Sequence, residues 1–302
     1  MKSSTPKVLH EIGGRSLIGH SIAAADALKP GRLAVVVRNE RDRVAAHVLD
    51  VAPHALIADQ DAIKGTGRAV QCAMSVLDAD ASDGATGVEG AVVVVAGDVP
   101  LLDGATLHAF VDAHAAGRHA VTVLTTEVAD PTGYGRIVRD PDGDQVAAIV
   151  EHRDATAAQR AIREINSSVY VFDAAVLRSA LARLGRDNAQ GEVYLTDVLA
   201  IARADGLVVR AVRVDDAMLL EGVNDRVQLA ALGAELNSRT VRAWMVSGVT
   251  VVDPATTWVD VGVQLERDVT LLPGTQLHGS TVVREGATVG PDTTLTDVEV
   301  GA

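Results

Sequence analysis

The chain has 302 residues, 48% of them hydrophobic and 22% charged. That is enough apolar material for more than one core and too little charge for global disorder. A net charge of −13 repels nucleic acid and anionic lipid, and 2% aromatics leave few stacking platforms for single strands. No apolar run approaches the roughly eighteen residues that a membrane span needs.

One cysteine, Cys72, excludes a disulfide framework, and the opening MKSSTPKVLH lacks the apolar stretch of a secretory signal. A cytoplasmic location is expected. After PKVLH, the amphipathic stretch Leu17 to Leu28 leads into a β-branched run, Leu33 to Val37. Similar runs follow at Ala91 to Val95, Ala120 to Leu124 and Ser168 to Phe172, with a helical stretch at Gly104 to Ala116. Apolar runs without polar interruption suit strands buried on both faces, and their alternation with helices predicts βαβ units and a mostly parallel sheet.

Five segments in this region carry candidate chemistry. IADQDAIKGTGRAV (57–70) is a glycine turn feeding a helix. Gly65 and Gly67 allow close backbone approach to a ligand, while Gln60 and Thr66 can hydrogen-bond a base edge. GAVVVVAGDVPLL (90–102) ends an apolar strand in Gly97 and Asp98. In an open α/β sheet ligands bind outside strand carboxyl ends. Asp98 therefore either holds Mg2+, a hard cation that takes few protein oxygens, or caps the next helix. DPTGYGRI (130–137) is a constrained turn that can offer the Gly135 amide to a ligand, or an ordinary hairpin turn. IVEHRDAT (149–156) ends a strand with Glu151, and IREINSSVYVFD (162–173) sets Asn166 before one. Taken singly, Glu151 and Asn166 read as surface polar groups.

Two changes of period follow. From Asn224 to Met245, Val227, Leu229, Leu232, Leu236 and Val241 fall near one helical face, predicting a long linker helix. From Val259 every sixth residue is aliphatic: Leu265, Leu271, Leu277, Val283, Val289, Leu295. Four residues after each stands a mostly small side chain, Val263 to Thr293, until Glu299 breaks the column. This period suits a β-helix with one short strand per hexapeptide.

The order PKVLH, QxxxxGTG, GDVPLL, DPTGYGRI, IVEHRDAT, EIN, NAQGEVYLTD, EGVN, then a helix and hexapeptides, closely resembles one family. It is the bacterial bifunctional N-acetylglucosamine-1-phosphate uridylyltransferase and glucosamine-1-phosphate N-acetyltransferase, and the resemblance covers essentially the whole chain. It implies that Lys7 contacts the nucleotide and sugar phosphates and that Gln60, Gly65 and Thr66 read uracil. By the same resemblance Gly97 lies in the substrate site, Asp98 and Asn224 bind Mg2+, and Gly135, Glu151 and Asn166 hold N-acetylglucosamine. The reaction implied joins UTP and N-acetylglucosamine 1-phosphate for cell-wall precursor synthesis. The acetyl-CoA site would lie beyond residue 302, and a full-length chain would form a homotrimer.

Members of the family open with a strand and a loop of the form LxxGxGTRM, and Met1 falls where that loop ends. The chain is thus expected to be truncated at both ends, to lack the phosphate-cradling amides, and to have little uridylyltransferase activity alone. Asp225 stands where relatives commonly carry a second Asn. The expected architecture is α/β: a Rossmann-like nucleotidyltransferase domain (1–225), a linker helix (226–246) and the start of a left-handed hexapeptide β-helix (247–302). The rivals are a UDP- or dTDP-glucose-forming enzyme and a non-catalytic scaffold subunit.

Overall fold

The computed structural model describes residues 1–80, 87–143 and 145–301, so Ala302, the last residue of the expected β-helix, lies outside them. In chain order a hairpin, β1 (Glu11–Ile12) and β2 (Arg15–Ser16), precedes α1 (Leu17–Ala27), β3 (Ala34–Val37), α2 (Arg41–Val51), β4 (Leu56–Asp59) and α3 (Thr66–Ala79). Then come β5 (Ala91–Val94), α4 (Gly104–Gly117), β6 (Val121–Glu127), β7 (Arg136–Arg139), β8 (Val146–Val150) and α5 (Ala157–Arg160). They are followed by β9 (Glu164–Asp173), α6 (Ala174–Leu181), α7 (Asp197–Ala204), β10 (Val209–Arg213) and the long α8 (Arg226–Val246). Nine strands of two or three residues, β11 (Thr250–Val251) to β19 (Glu299–Val300), close the described chain. Two compact units result: Ser21–Glu221, and Met1–His20 with Gly222–Ala302.

The first unit is built on a six-stranded sheet ordered β10-β6-β9-β7-β8, with β5 also on β9. Strands β6 and β10 pair in parallel, but β9 runs antiparallel to β5, β6 and β7. The parallel pair β3–β4 forms a separate two-stranded sheet. The sheet is therefore mixed, where the apolar runs predicted a mostly parallel one. An unbroken apolar run reports burial on both faces and is silent about direction. Along β9, Tyr170 and Phe172 enter the core with α3, α6 and α7, while Val169 and Val171 enter the opposite core with Leu107 and Phe110 of α4.

One edge of β9 is shared. Its Ile165 pairs with Arg136 of β7, and its residues 170–173 pair with β5. The backbone between them, 166–169, lies where β5 ends and β7 begins. On the other edge a bulge intervenes: Val123 faces Tyr170 but Thr125 faces Asn166, so two steps of β6 match four of β9. Ser168, at φ 63°, and the bond from Ser167 Oγ to the Leu124 carbonyl (2.6 Å) fix it.

In the second unit α8 starts at Asp225, whose carboxylate accepts from the Val227 and Gln228 amides at 2.8 Å. The residue that departs from the family pattern is thus a helix cap. The buried stripe of α8 comprises Leu232, Asn237 and Val241; Val227, expected on that face, is exposed. Gly13 and Gly14 give the β1–β2 hairpin its two positive-φ positions (55° and 74°), as a type I′ turn requires. The Val261 amide donates to the Gly13 carbonyl at 2.9 Å.

Strands β11–β19 stack in three parallel three-stranded sheets. Val259 pairs with Leu277, Leu265 with Val283 and Leu271 with Val289, each 18 residues on, so three hexapeptides make a coil. These aliphatics are buried, as are Val263, Val269, Thr275, Thr281 and Ala287. The threonine hydroxyls among them donate to turn carbonyls, Thr275 to Leu272 and Thr281 to His278, both at 2.7 Å. At the first coil Asn237 of α8 donates to the Thr257 carbonyl (2.8 Å) and accepts from the Val259 amide (2.9 Å), substituting for a strand.

Candidate active site

Gly135, Glu151 and Asn166 come from three separate segments of the Ser21–Glu221 unit and meet. Gly135 immediately precedes β7, Glu151 immediately follows β8, and the Asn166 amide donates to the Gly135 carbonyl at 2.9 Å. A Cβ added at Gly135 would stand 3.4 Å from Asn166 Cβ and 3.6 Å from Glu151 Oε1. Any side chain there would fill the space between the other two. Burial holds the Glu151 carboxyl above the usual range; repulsion from Asp154 and Asp197 adds to this, and the Thr196 hydroxyl bond opposes it.

Arg136 stabilises this turn from below. It is fully buried and donates to the Tyr134 carbonyl and to His152 Nδ1 (3.3 Å), leaving its Nε without a partner. Burial depresses its pKa. The Tyr134 phenol is raised by burial first, then by the nearby carboxylates of Glu221 and Asp98. Gly97 and Asp98, three and four residues past the end of β5, are half-buried. The following helix, α4, is capped by Asp103, which accepts from the Thr106 amide at 2.7 Å. Capping α4 is not the task of Asp98.

The glycine turn is sewn to the NAQGEVYLTD segment. Gly67 N donates to Val193 O (2.9 Å), Val193 N to Lys64 O (3.0 Å), and Leu195 N to Thr66 Oγ1 (3.1 Å). Gly65 adopts φ 116°, and a Cβ there would collide with the Val193 backbone. Gln60 Nε2 donates to the carbonyls of Ile63 and Gly65 at 3.0 and 3.1 Å, closing its own loop. Gln60, Gly65 and Thr66 thus share one rigid loop.

Lys7 and Asn224 belong to the other unit, where Lys7 Nζ donates to Asn224 Oδ1 at 3.4 Å. The oxygen expected to face a metal thus faces an ammonium. Among the described residues no three His, Cys, Asp or Glu side chains gather to hold a metal by protein alone. A single carboxylate such as Asp98 suits Mg2+, which fills its shell with phosphate oxygens and water.

Sequence reading singled out none of Arg136, Tyr170 and Thr196. Arg136 and Thr196 stand inside quoted motifs, but nothing in their spacing tells that one bonds Tyr134 and His152 and the other Glu151.

Residues 1–194 match the family model of the MobA-like NTP transferase domain. The chain is 60% identical to the bifunctional protein GlmU of Pseudarthrobacter chlorophenolicus and 56% identical to that of Corynebacterium glutamicum. All of the chain is covered in both, with 60% and 61% of those proteins. It therefore spans about three fifths of the length of these curated relatives. A nucleoside-diphosphate-sugar pyrophosphorylase structure from Vibrio cholerae superposes with a TM-score of 0.54 at 16% identity. It covers 72% of this chain and 87% of that one, a likeness of fold. The chain belongs to the MobA-like NTP transferase family and matches bifunctional GlmU proteins along its whole length.

Proposed function

We propose that the protein transfers uridylyl from UTP to N-acetylglucosamine 1-phosphate, releasing pyrophosphate and forming UDP-N-acetylglucosamine. The observation that carries this reading is the meeting of Gly135, Glu151 and Asn166, a Cβ at Gly135 standing 3.4 Å from Asn166 Cβ and 3.6 Å from Glu151 Oε1. A carboxylate and a carboxamide brought together supply the acceptor and donor that a sugar and its acetamido group require.

In this reading a phosphate oxygen of the sugar phosphate attacks the α-phosphorus of UTP in line. One P–O bond forms, the bond to the β-phosphate breaks, and pyrophosphate leaves with its electron pair. The nucleophile is already anionic, so no general base is needed, and catalysis is positioning plus charge neutralisation. Glu151, Asn166 and the Gly135 turn orient the sugar. The Gln60–Thr66 loop receives uracil, with the Gln60 amide oxygen as acceptor, since its NH2 is committed to the loop. Asp98 would hold Mg2+, which when bound offsets the charge of the triphosphate.

The bifunctional relatives support a second activity in the whole protein, acetyl transfer from acetyl-CoA to glucosamine 1-phosphate. We assign it to coils beyond those described, with a homotrimer and a cytoplasmic setting. The test is pyrophosphate release by the protein extended to the length of its curated relatives. It should require UTP, N-acetylglucosamine 1-phosphate and Mg2+ together; release without the sugar phosphate, or none with all three, contradicts the reading.

A further inference from the structure

Tyr170 stands four residues after Asn166 on the same strand, away from solvent. It is wholly buried on β9, its ring 5.4 Å from that of Phe172. Its hydroxyl is 2.9 Å from Asn166 Oδ1, and the Ser168 amide reaches the same oxygen at 3.1 Å. A backbone N–H only donates, so the atom facing Ser168 must be the carboxamide oxygen. The tyrosine hydroxyl therefore donates as well. With its oxygen engaged twice, Asn166 has its NH2 as the end left for a ligand.

This orientation has a chemical consequence. An acetamido group presents one donor, its N–H, and one acceptor, its carbonyl. Opposite it stand an acceptor, Glu151, and a donor, the Asn166 NH2. Were the carboxamide to flip, the pocket would show two acceptors, and the acetamido carbonyl would meet an oxygen. A sugar hydroxyl both donates and accepts, so it tolerates either orientation.

We propose that Tyr170 is a positioning residue that sets the preference for an N-acetylated sugar, by holding the Asn166 carboxamide with its NH2 toward the Gly135–Glu151 gap. The proposal rests on the substrate reading above. The bulge at Ser168 places both donors on one oxygen, and bulges of this kind re-aim side chains at sites.

The experiment is Tyr170→Phe, which keeps the ring and its packing and removes only the hydroxyl. Steady-state kinetics are measured with UTP and either N-acetylglucosamine 1-phosphate or glucose 1-phosphate. The KM for the N-acetylated sugar should rise on the order of tenfold. The KM for UTP, kcat, and kcat/KM for glucose 1-phosphate should stay unchanged, which a general loss of fold would not permit. If the ratio of the two sugars is the same in the variant, or the loss falls equally on UTP, the proposal is overturned while the substrate reading stands. If the unaltered protein itself shows no preference for the N-acetylated sugar, both are overturned.

Discussion

Asp98 and Gly65 act in different ways, one by charge and one by shape. Asp98 is half-buried four residues past the end of β5, and the cap of the next helix is a different aspartate. Asp98→Asn keeps the shape and removes the charge. Transfer should fall by roughly a hundredfold or more with the melting temperature unchanged; near-normal turnover at saturating Mg2+ would remove Asp98 from the metal site. At Gly65, φ 116° and the adjacent Val193 backbone leave no room for a methyl group. Gly65→Ala should cost about 1–3 kcal/mol in urea unfolding and weaken UTP binding more than sugar binding. Equal stability of the two proteins would show that the loop has freedom the bonds to Val193 do not suggest.

The elements differ in how openly the sequence declares them. The hexapeptide coils are legible because one side-chain period maps onto one strand, and three strands bring Val259 over Leu277. Leu277→Ala should therefore cost about 2–5 kcal/mol and the exposed neighbour Gln276→Ala less than about 0.5 kcal/mol, both by denaturant unfolding. Similar losses at the two positions would contradict the stacking. The strand runs at Val92, Val121 and Val171 are legible as buried segments, yet the antiparallel pairing of the first two with the third, on β9, is not, since burial on two faces carries no direction. Asn237 was not legible at all. A polar residue within the apolar stripe of α8 acquires its purpose only when the backbone of the first coil arrives beside it. The site divides in the same way. The motifs name Gly135, Glu151 and Asn166, while their meeting depends on a bulge and a shared strand edge that no local pattern announces.

Across the whole molecule, three histidines report on pH. His20, His114 and His119 are each held below the ordinary histidine value, by burial first. Arg15, His119 and Arg210 respectively add repulsion, while Asp173 opposes it at His114 and backbone hydrogen bonds oppose it at His20. The folded state thus binds fewer protons than the unfolded one below pH 6.5. Their contribution is present above that value and is lost as pH falls from 6.5 through the lower folded values. Glu151 and Asp197, raised by burial, act in the opposite sense, but only nearer the carboxylate range. The melting temperature should therefore fall between pH 7 and 5.5, and His114→Gln should flatten that slope; a flat profile in the unaltered protein would contradict the burial. Such a profile concerns stability alone, whereas the central claim concerns what the pocket receives. Its most direct test is kcat/KM for N-acetylglucosamine 1-phosphate against glucose 1-phosphate, with UTP saturating. Glu151 and Asn166 across the Gly135 gap predict a clear preference for the N-acetylated sugar, at least roughly tenfold. Equal values, or a preference for glucose 1-phosphate, would contradict it.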